Sequence, residues 1–351
     1  MSVKIFACKN CSAAITFNIE AQKWICNYCS AEFDKDEIKE KTVSDSGVEK
    51  KEDLSVKLPD LDEYVCSACG SVLLCEENTA ATFCLYCKSP TVIKSRFSGE
   101  FKPRYIIPFK LTEKEAQEYY SAWIKKRFFA PRSFKTAKEV DNIRGLYAPY
   151  WLFDCKVSGY IEGEGRIVRS WRSGDYRVTE TKYYDIKRAG YADYSRIPVD
   201  GSEHLEDELM EGVEPFMFSE MKDFALEYMS GFLAEKYDLD ESKALPFMQN
   251  RAQKFLETTL KTAGDQYSSV SINSKNLSVN APVAAYSMLP IYILTNFYKN
   301  KPHRFILNGQ TGKIYGQTPY VVSKMIIFFI TVFLATWIVS IFAGGAIYAF
   351  L

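Results

Sequence analysis

Eight of the ten cysteines fall into two copies of one spacing, 58 residues apart. The first copy is Cys8-x2-Cys11, fourteen residues, then Cys26-x2-Cys29; the second is Cys66-x2-Cys69, fourteen residues, then Cys84-x2-Cys87. A CxxC turn places two sulfurs on one knuckle, where backbone N–H groups can stabilise thiolates. Two such knuckles joined by a short hairpin supply four soft ligands, which suits a tetrahedral Zn²⁺. Four sulfurs close the coordination sphere, so the chemistry expected is structural rather than catalytic, with two Zn²⁺ sites per chain. The match extends to aromatic neighbours, because Phe6 aligns with Tyr64 and Tyr28 with Tyr86 at the same offset. Cys75 falls opposite Phe17 in the repeat, and Cys155 stands alone in a strand-like run, so neither is assigned as a ligand. A redox motif needs only one CxxC pair, and thiolate ligands call for a reducing compartment; together these oppose a redox or disulfide role for the eight.

Other chemistry is thinly represented. With only His204 and His303 in 351 residues, histidine-based catalysis is not expected. Gly163-Glu164-Gly165 lacks the third glycine and the helix start of a phosphate cradle. No nucleophile elbow or P-loop appears, and the chain reads as a non-enzyme. Cysteine ribbons often touch nucleic acid, but residues 1–95 hold 11 lysines, no arginine and 15 acidic residues, a net of −4. Such a module repels phosphate, so nucleic-acid binding stands as the alternative and protein partners as the leading reading. Two basic groups, Arg166, Arg169, Arg172 and Arg177, and Lys125 to Lys138, are read as solvated faces that would meet anionic lipid only if the domain sits near a bilayer.

A membrane is expected because residues 325–351 contain no charged side chain. An uncharged apolar run of this length is a transmembrane candidate, and a helix of it would be ~40 Å long against a hydrocarbon core of ~30 Å. Lys324 abuts its start, so the positive-inside rule places the bulk of the chain in the cytoplasm, as a tail-anchored, single-pass protein of the cell membrane. No secretory signal is visible at the start. Within the run, Ser340-x3-Gly344 and Gly345-x3-Ala349 would permit close helix approach.

The elements that must hold these parts follow from periodicity. The expected fold class is multidomain: two small β zinc ribbons (1–33 and 62–95), a charged flexible linker (34–61), a central α+β domain (97–319) and a transmembrane helix (324–351). In the central domain, Tyr105–Phe109 reads as a strand. Thr112 with Glu115 three residues on is a capping box, and Ala116, Tyr119, Tyr120, Trp123 and Ile124 follow at helical spacing. Strands are expected at Tyr150–Val157, Tyr160–Trp171 and Tyr176–Ile186, with a turn at Arg172–Asp175. Helices are expected across 202–262, the third over Asp240–Thr262. Strands return at Tyr267–Val279, Met288–Tyr298 and Arg304–Tyr315, the last broken by the turn Asn308-Gly-Gln-Thr-Gly312.

The order of these parts resembles the bacterial YdjG-like zinc-ribbon membrane proteins, often labelled TFIIB-type zinc ribbon or after a replication-restart helicase. The resemblance rests on the two cysteine ribbons, Arg104-Tyr-Ile-Ile-Pro-Phe109, Tyr147-Ala-Pro-Tyr-Trp151, Asn308–Gly312 and the apolar end. It implies a membrane-anchored adaptor or scaffold that works with SPFH/flotillin-like and envelope-stress proteins and a second small membrane protein. The helicase label finds no matching residues. One departure is that serines, Ser12 and Ser30, follow the knuckles of the first ribbon, where the second has Gly70.

Overall fold

The computed structural model describes residues 3–11, 15–26, 28–42, 61–65, 72–76, 79–83, 90–93, 102–136, 140, 142–203, 205–263 and 266–350. It is a mixed α+β architecture with a cysteine module at the N-terminal end and one long apolar helix at the other. The first module comprises β1 (Val3–Ala7), a small sheet of β2 (Ile15–Asn18), β3 (Lys23–Cys26) and β4 (Glu32–Phe33), and β5 (Lys39–Thr42), which pairs back onto β1. Strand β5 and a 3-10 turn at Lys35–Glu37 fall within residues 34–61, the stretch read as a linker; residues 43–60 lie outside the described residues. Next come β6 (Leu61–Val65), β7 (Val72–Glu76), β8 (Thr79–Phe83) and β9 (Pro90–Ile93).

The central body is organised by three long strands. After β10 (Tyr105–Ile106) and α1 (Glu113–Lys125) come β11 (Arg144–Ser173) and β12 (Tyr176–Asp200), a hairpin closed at Gly174–Asp175. Beyond α2 (Asp207–Gly212), β13 (Lys222–Asp223), β14 (Leu233–Glu235) and α3 (Glu241–Thr262), β15 (Ser269–Tyr298) runs antiparallel along β11 from Arg144↔Ile293 to Arg166↔Ser269. At ~3.3 Å per residue, a 30-residue strand reaches about 100 Å. Strands β16 (Lys301–Asn308) and β17 (Ile314–Gly316) complete that edge. Among the described residues, twelve strands join one sheet, because β14 pairs with both β11 and β8, and β9 pairs with β1.

Two expectations are corrected here. The break anticipated between Tyr150–Val157 and Tyr160–Trp171 is absent, and so is the one between Val279 and Met288. Ser158 and Gly159 pair with Ser278 and Leu277 without interruption. A Cβ at Gly159 would sit 2.1 Å from the Asn276 carbonyl oxygen, so this glycine permits close strand approach rather than a turn. The helical reading of 202–262 holds only at its ends, in α2 and α3. Between them the chain makes 3-10 turns at Phe218–Glu220 and Leu226–Met229, while β13 joins β10 and β14 joins β11. Pro215 and Gly231 punctuate this stretch, and sheet pairing outcompetes its local helical spacing.

Elsewhere the local rules act as expected. Thr112 Oγ1 accepts from Glu115 N (3.2 Å) and Glu115 Oε2 accepts from Thr112 N (2.8 Å), closing the capping box of α1, which buries Ala116, Tyr120 and Ile124. Asp240 caps α3 by accepting from Lys243 N (2.9 Å). One stripe of α3, Ala244, Met248, Ala252, Leu256 and Leu260, is buried against the long strands. Arg188 of β12 closes its other end by donating to the carbonyls of Leu260 and Lys261 at 2.8 and 2.9 Å. Asn308 is fully buried: its Oδ1 accepts from Gln310 N and Thr311 N, and its Nδ2 donates to Val213 O at 3.0 Å. The Asn308–Gly312 turn thereby anchors the segment that follows α2. Helix α4 (Val322–Phe350) ends the described chain.

Candidate metal centre

Strand β1 delivers the Cys8–Cys11 knuckle, and the β2–β3 hairpin delivers the Cys26–Cys29 knuckle. The registers Ile15↔Cys26 and Phe17↔Trp24 fix where the second knuckle emerges. The four Sγ atoms lie within 4.8 Å of one another. Cys8 and Cys29 are 3.5 Å apart and Cys11 and Cys26 3.4 Å, far beyond the ~2.0 Å of a disulfide. Around a tetrahedral ion with ~2.3 Å metal–sulfur bonds, sulfurs stand about 3.8 Å apart, so this cluster is the right size for one such ion. The four can therefore hold a metal. Cys8 and Cys26 are buried, Cys11 is half-buried and Cys29 is exposed, which puts one edge of the cluster at the surface.

Backbone donors prepare the sulfurs for negative charge. Asn10 N donates to Cys8 Sγ at 3.3 Å. Burial pushes the Cys26 thiol up, but hydrogen bonds from the Cys29 and Tyr28 backbone, with the neighbouring thiols, outweigh it and bring the pKa down to about 6. The second knuckle closes through Ser30 N to Cys26 O and Cys26 N to Ala31 O, both 2.9 Å. Ser30 adopts φ 57°, the left-handed conformation in which glycine is the usual occupant. The serine noted in the sequence thus reaches the knuckle geometry at a local backbone cost. The second set, Cys66, Cys69, Cys84 and Cys87, lies outside the described residues. Cys155 is buried in β11, where burial raises its thiol pKa.

The module is seated on the central body by contacts that its spacing did not reveal. Phe17 and Trp24 are buried and pack against Tyr228, with ring centroids at 5.2 Å in both pairs. Phe17 N donates to Ser230 O (3.1 Å), Ser230 Oγ to Ile15 O (2.6 Å), and Trp24 Nε1 to Glu227 O (3.0 Å). Gln22 Nε2 reaches Phe109 O at 3.0 Å. The hairpin between the knuckles is therefore a brace for residues 227–230, which lead into β14. Alternation in the hairpin sequence marks Ile15 and Phe17 as inward-facing, but nothing local identifies their partner.

A second polar cluster sits where β12 ends. Arg251 of α3 makes a two-pronged ion pair with Glu214 at 2.9 and 2.5 Å, and donates to Pro198 O. Asp200 is buried; its Oδ1 accepts from Ser202 N (3.2 Å), and its Oδ2 has no hydrogen-bond partner among the described residues. Burial raises the Asp200 pKa to about 8. The adjoining cavity of about 30 Å³, lined in part by Tyr150, Asp200 and Arg251, is about the space one water occupies.

Helix α4 carries an apolar stretch, Val322–Ile341, with mean hydropathy 2.2 and none of it buried by the rest of the chain. It is long and apolar enough to cross a membrane.

These parts define a class: an α+β protein with a cysteine cluster able to hold a metal and, among the described residues, a single unburied apolar helix. The chain is 32% identical over 258 residues to the uncharacterized protein YdjG of Bacillus subtilis (strain 168), spanning 72% of this chain and 76% of that protein. It belongs to the YdjG-like family. No family model matches the chain, and no solved structure matches it.

Proposed function

We propose that this chain is a non-enzymatic, membrane-anchored adaptor of the cytoplasmic membrane. In this reading α4 crosses the bilayer once, and the cysteine modules and the α+β body face the cytosol. The cysteine cluster holds one structural Zn²⁺ through Cys8, Cys11, Cys26 and Cys29, and the repeat assigns a second to Cys66, Cys69, Cys84 and Cys87. Four thiolates leave no open position, so the ion's contribution is to lock the hairpin that braces residues 227–230.

The observation that carries the adaptor reading is the free end of the long hairpin. Beyond the end of α3, β11 and β12 project with Val168, Trp171, Tyr176, Val178 and Tyr183 exposed, interspersed with Arg169, Arg172 and Arg177. Aromatic residues and arginine are the side chains enriched at protein interfaces, and a monomer gains nothing from exposing them together. The family resemblance suggests an SPFH/flotillin-like protein and a second small membrane protein as partners.

The test is to purify the full chain in mild detergent beside a W171A/Y176A variant and compare what co-purifies. Loss of a stoichiometric protein partner from the variant, with its thermal unfolding unchanged, supports the reading; an unchanged set of co-purifying proteins overturns the role of this tip. Metal analysis should return two zinc ions per chain, falling to one in C26S.

A further inference from the structure

Residues 119–136 contain five cations and no acidic residue, and the fold brings the middle of this stretch to the foot of the apolar helix. Val321 N donates to Phe129 O at 2.9 Å. Lys324 Nζ donates to Ala130 O (2.5 Å) and Phe128 O (3.5 Å). Phe128 and Phe129 both contact the Phe328 ring, at 5.9 and 5.6 Å between centroids. Phe128 is nevertheless 62% exposed, and Tyr320, just ahead of α4, is 67% exposed. Aromatic residues at the first turn of a spanning helix sit at headgroup depth. On that same loop Lys125, Lys126 and Arg132 are exposed. Arg127 lies 4.5 Å over the Trp123 ring, and Lys135 Nζ bonds Arg127 O at 3.2 Å, so these two cations hold the loop in shape.

We propose that the 125–135 loop is a membrane-contact platform that binds anionic phospholipid headgroups beside the root of α4. This rests on α4 spanning the bilayer. Given that, the loop cannot avoid the headgroup layer, because three hydrogen bonds and two ring contacts lace it to the start of the helix. Its single sign of charge selects anionic lipid, and Phe128 supplies an apolar wedge into the interface. The sequence shows the basic run; only the structure shows that its Phe128, Phe129 and Ala130 touch the foot of the helix.

Hydrogen exchange on the full chain in nanodiscs tests the proposal. Phosphatidylcholine discs are compared with discs containing phosphatidylglycerol, for the native chain and for K125Q/K126Q/R132Q, which keeps the two cations that shape the loop. Each lysine or arginine near an anionic surface strengthens association about fivefold. Amides across 125–136 should accordingly exchange at least about fivefold more slowly in the anionic discs, and the triple variant should lose that difference. Protection of 326–341 in both disc types reports the helix independently. Composition-independent exchange at 125–136 with 326–341 protected overturns the platform and leaves the membrane helix intact. Unprotected 326–341 overturns both.

Discussion

Strand β11 passes through three environments, and the contrast between its two ends explains most of the molecule. From Leu146 to Phe153 every residue is buried, whereas from Val168 to Ser173 every residue is exposed. At the buried end, Leu146, Ala148, Tyr150 and Leu152 pack with Leu209, Met210 and Phe216, while Tyr147, Trp151 and Phe153 belong to the core on the opposite face. Between the ends, where α3 covers one face, Cys155, Val157, Ile161, Gly163 and Gly165 are buried among less buried neighbours, the alternation lapsing only at the half-buried Ser158–Tyr160. One backbone conformation thus serves as a core strand, a half-covered strand and a bare arm, and what changes along it is only the cover supplied by other elements. The buried end fixes the fold, and the bare end is available for other work.

The sharpest break of that comparison is to truncate one large side chain at each end. Tyr147 is fully buried; its ring packs edge-on against Phe109 at 4.9 Å, and its hydroxyl accepts from Phe109 N at 3.4 Å. Y147A leaves both a cavity and an unpartnered N–H, and is expected to destabilise by about 3–5 kcal/mol in denaturant unfolding. W171A at the bare end should fall within about 0.5 kcal/mol of the native chain. Equal effects would mean that the tip is covered in solution.

Glycines give the next test, because they occur in both regimes for opposite reasons. In the half-covered part, Cβ atoms at Gly159 and Gly163 would lie 2.1 and 2.0 Å from the carbonyl oxygens of Asn276 and Ser271 on β15. G159A must push two strands apart, at about 1–3 kcal/mol. Gly174 in the tip turn has φ +61° and open space around it, so G174A costs only the left-handed strain, about 1 kcal/mol. Unfolding of the two single variants compares them directly.

A third contrast is electrostatic and lies at the buried end of β12, where Asp200 pairs with Tyr150. Burial holds the Asp200 pKa at about 8, above its ordinary value of 3.8. Between those values the folded chain keeps a proton that the unfolded chain has released. Stability therefore falls as pH rises across this window and is fully present only below it. D200N removes the titration while retaining the oxygen that accepts from Ser202 N. The native chain should lose on the order of 1 kcal/mol per pH unit relative to D200N between about pH 5 and about pH 8, measured as the gap between their melting temperatures. A constant gap would show that Asp200 is ionised in the fold.

What the sequence disclosed follows the same division. The four cysteines that converge, the capped helices α1 and α3 and the apolar α4 are each specified within a few turns of chain, and all were legible. The length of β11 and β15 was not, because Gly159 carries the same letter whether it turns the chain or admits a neighbour, and Asn276 is far away in sequence. Residues 221–229 read as helix because Met221, Ala225 and Tyr228 keep helical spacing, while the packing of Tyr228 against Phe17 and Trp24 is decided some 200 residues away. The tie between the basic loop and the helix foot was equally hidden, since Ala130 and Lys324 are neighbours only in the fold.

The smallest expected effect lies at the metal knuckle, where backbone conformation matters and burial does not. Ser30 holds φ 57° while its N–H closes the knuckle on Cys26 O at 2.9 Å. A side chain in this conformation costs roughly 1 kcal/mol, whereas glycine adopts it freely but adds entropy to the unfolded chain. S30G is therefore expected to stabilise the module by a few tenths to about 1 kcal/mol. Because a metal bound only to the folded module draws on the same free energy, its affinity should rise by up to about fivefold in a chelator competition. An unchanged affinity with raised stability would place the strain outside the metal site. A loss of both would mean that the Ser30 side chain itself supports the knuckle, making this one place where the cysteine module depends on a side chain rather than on its backbone.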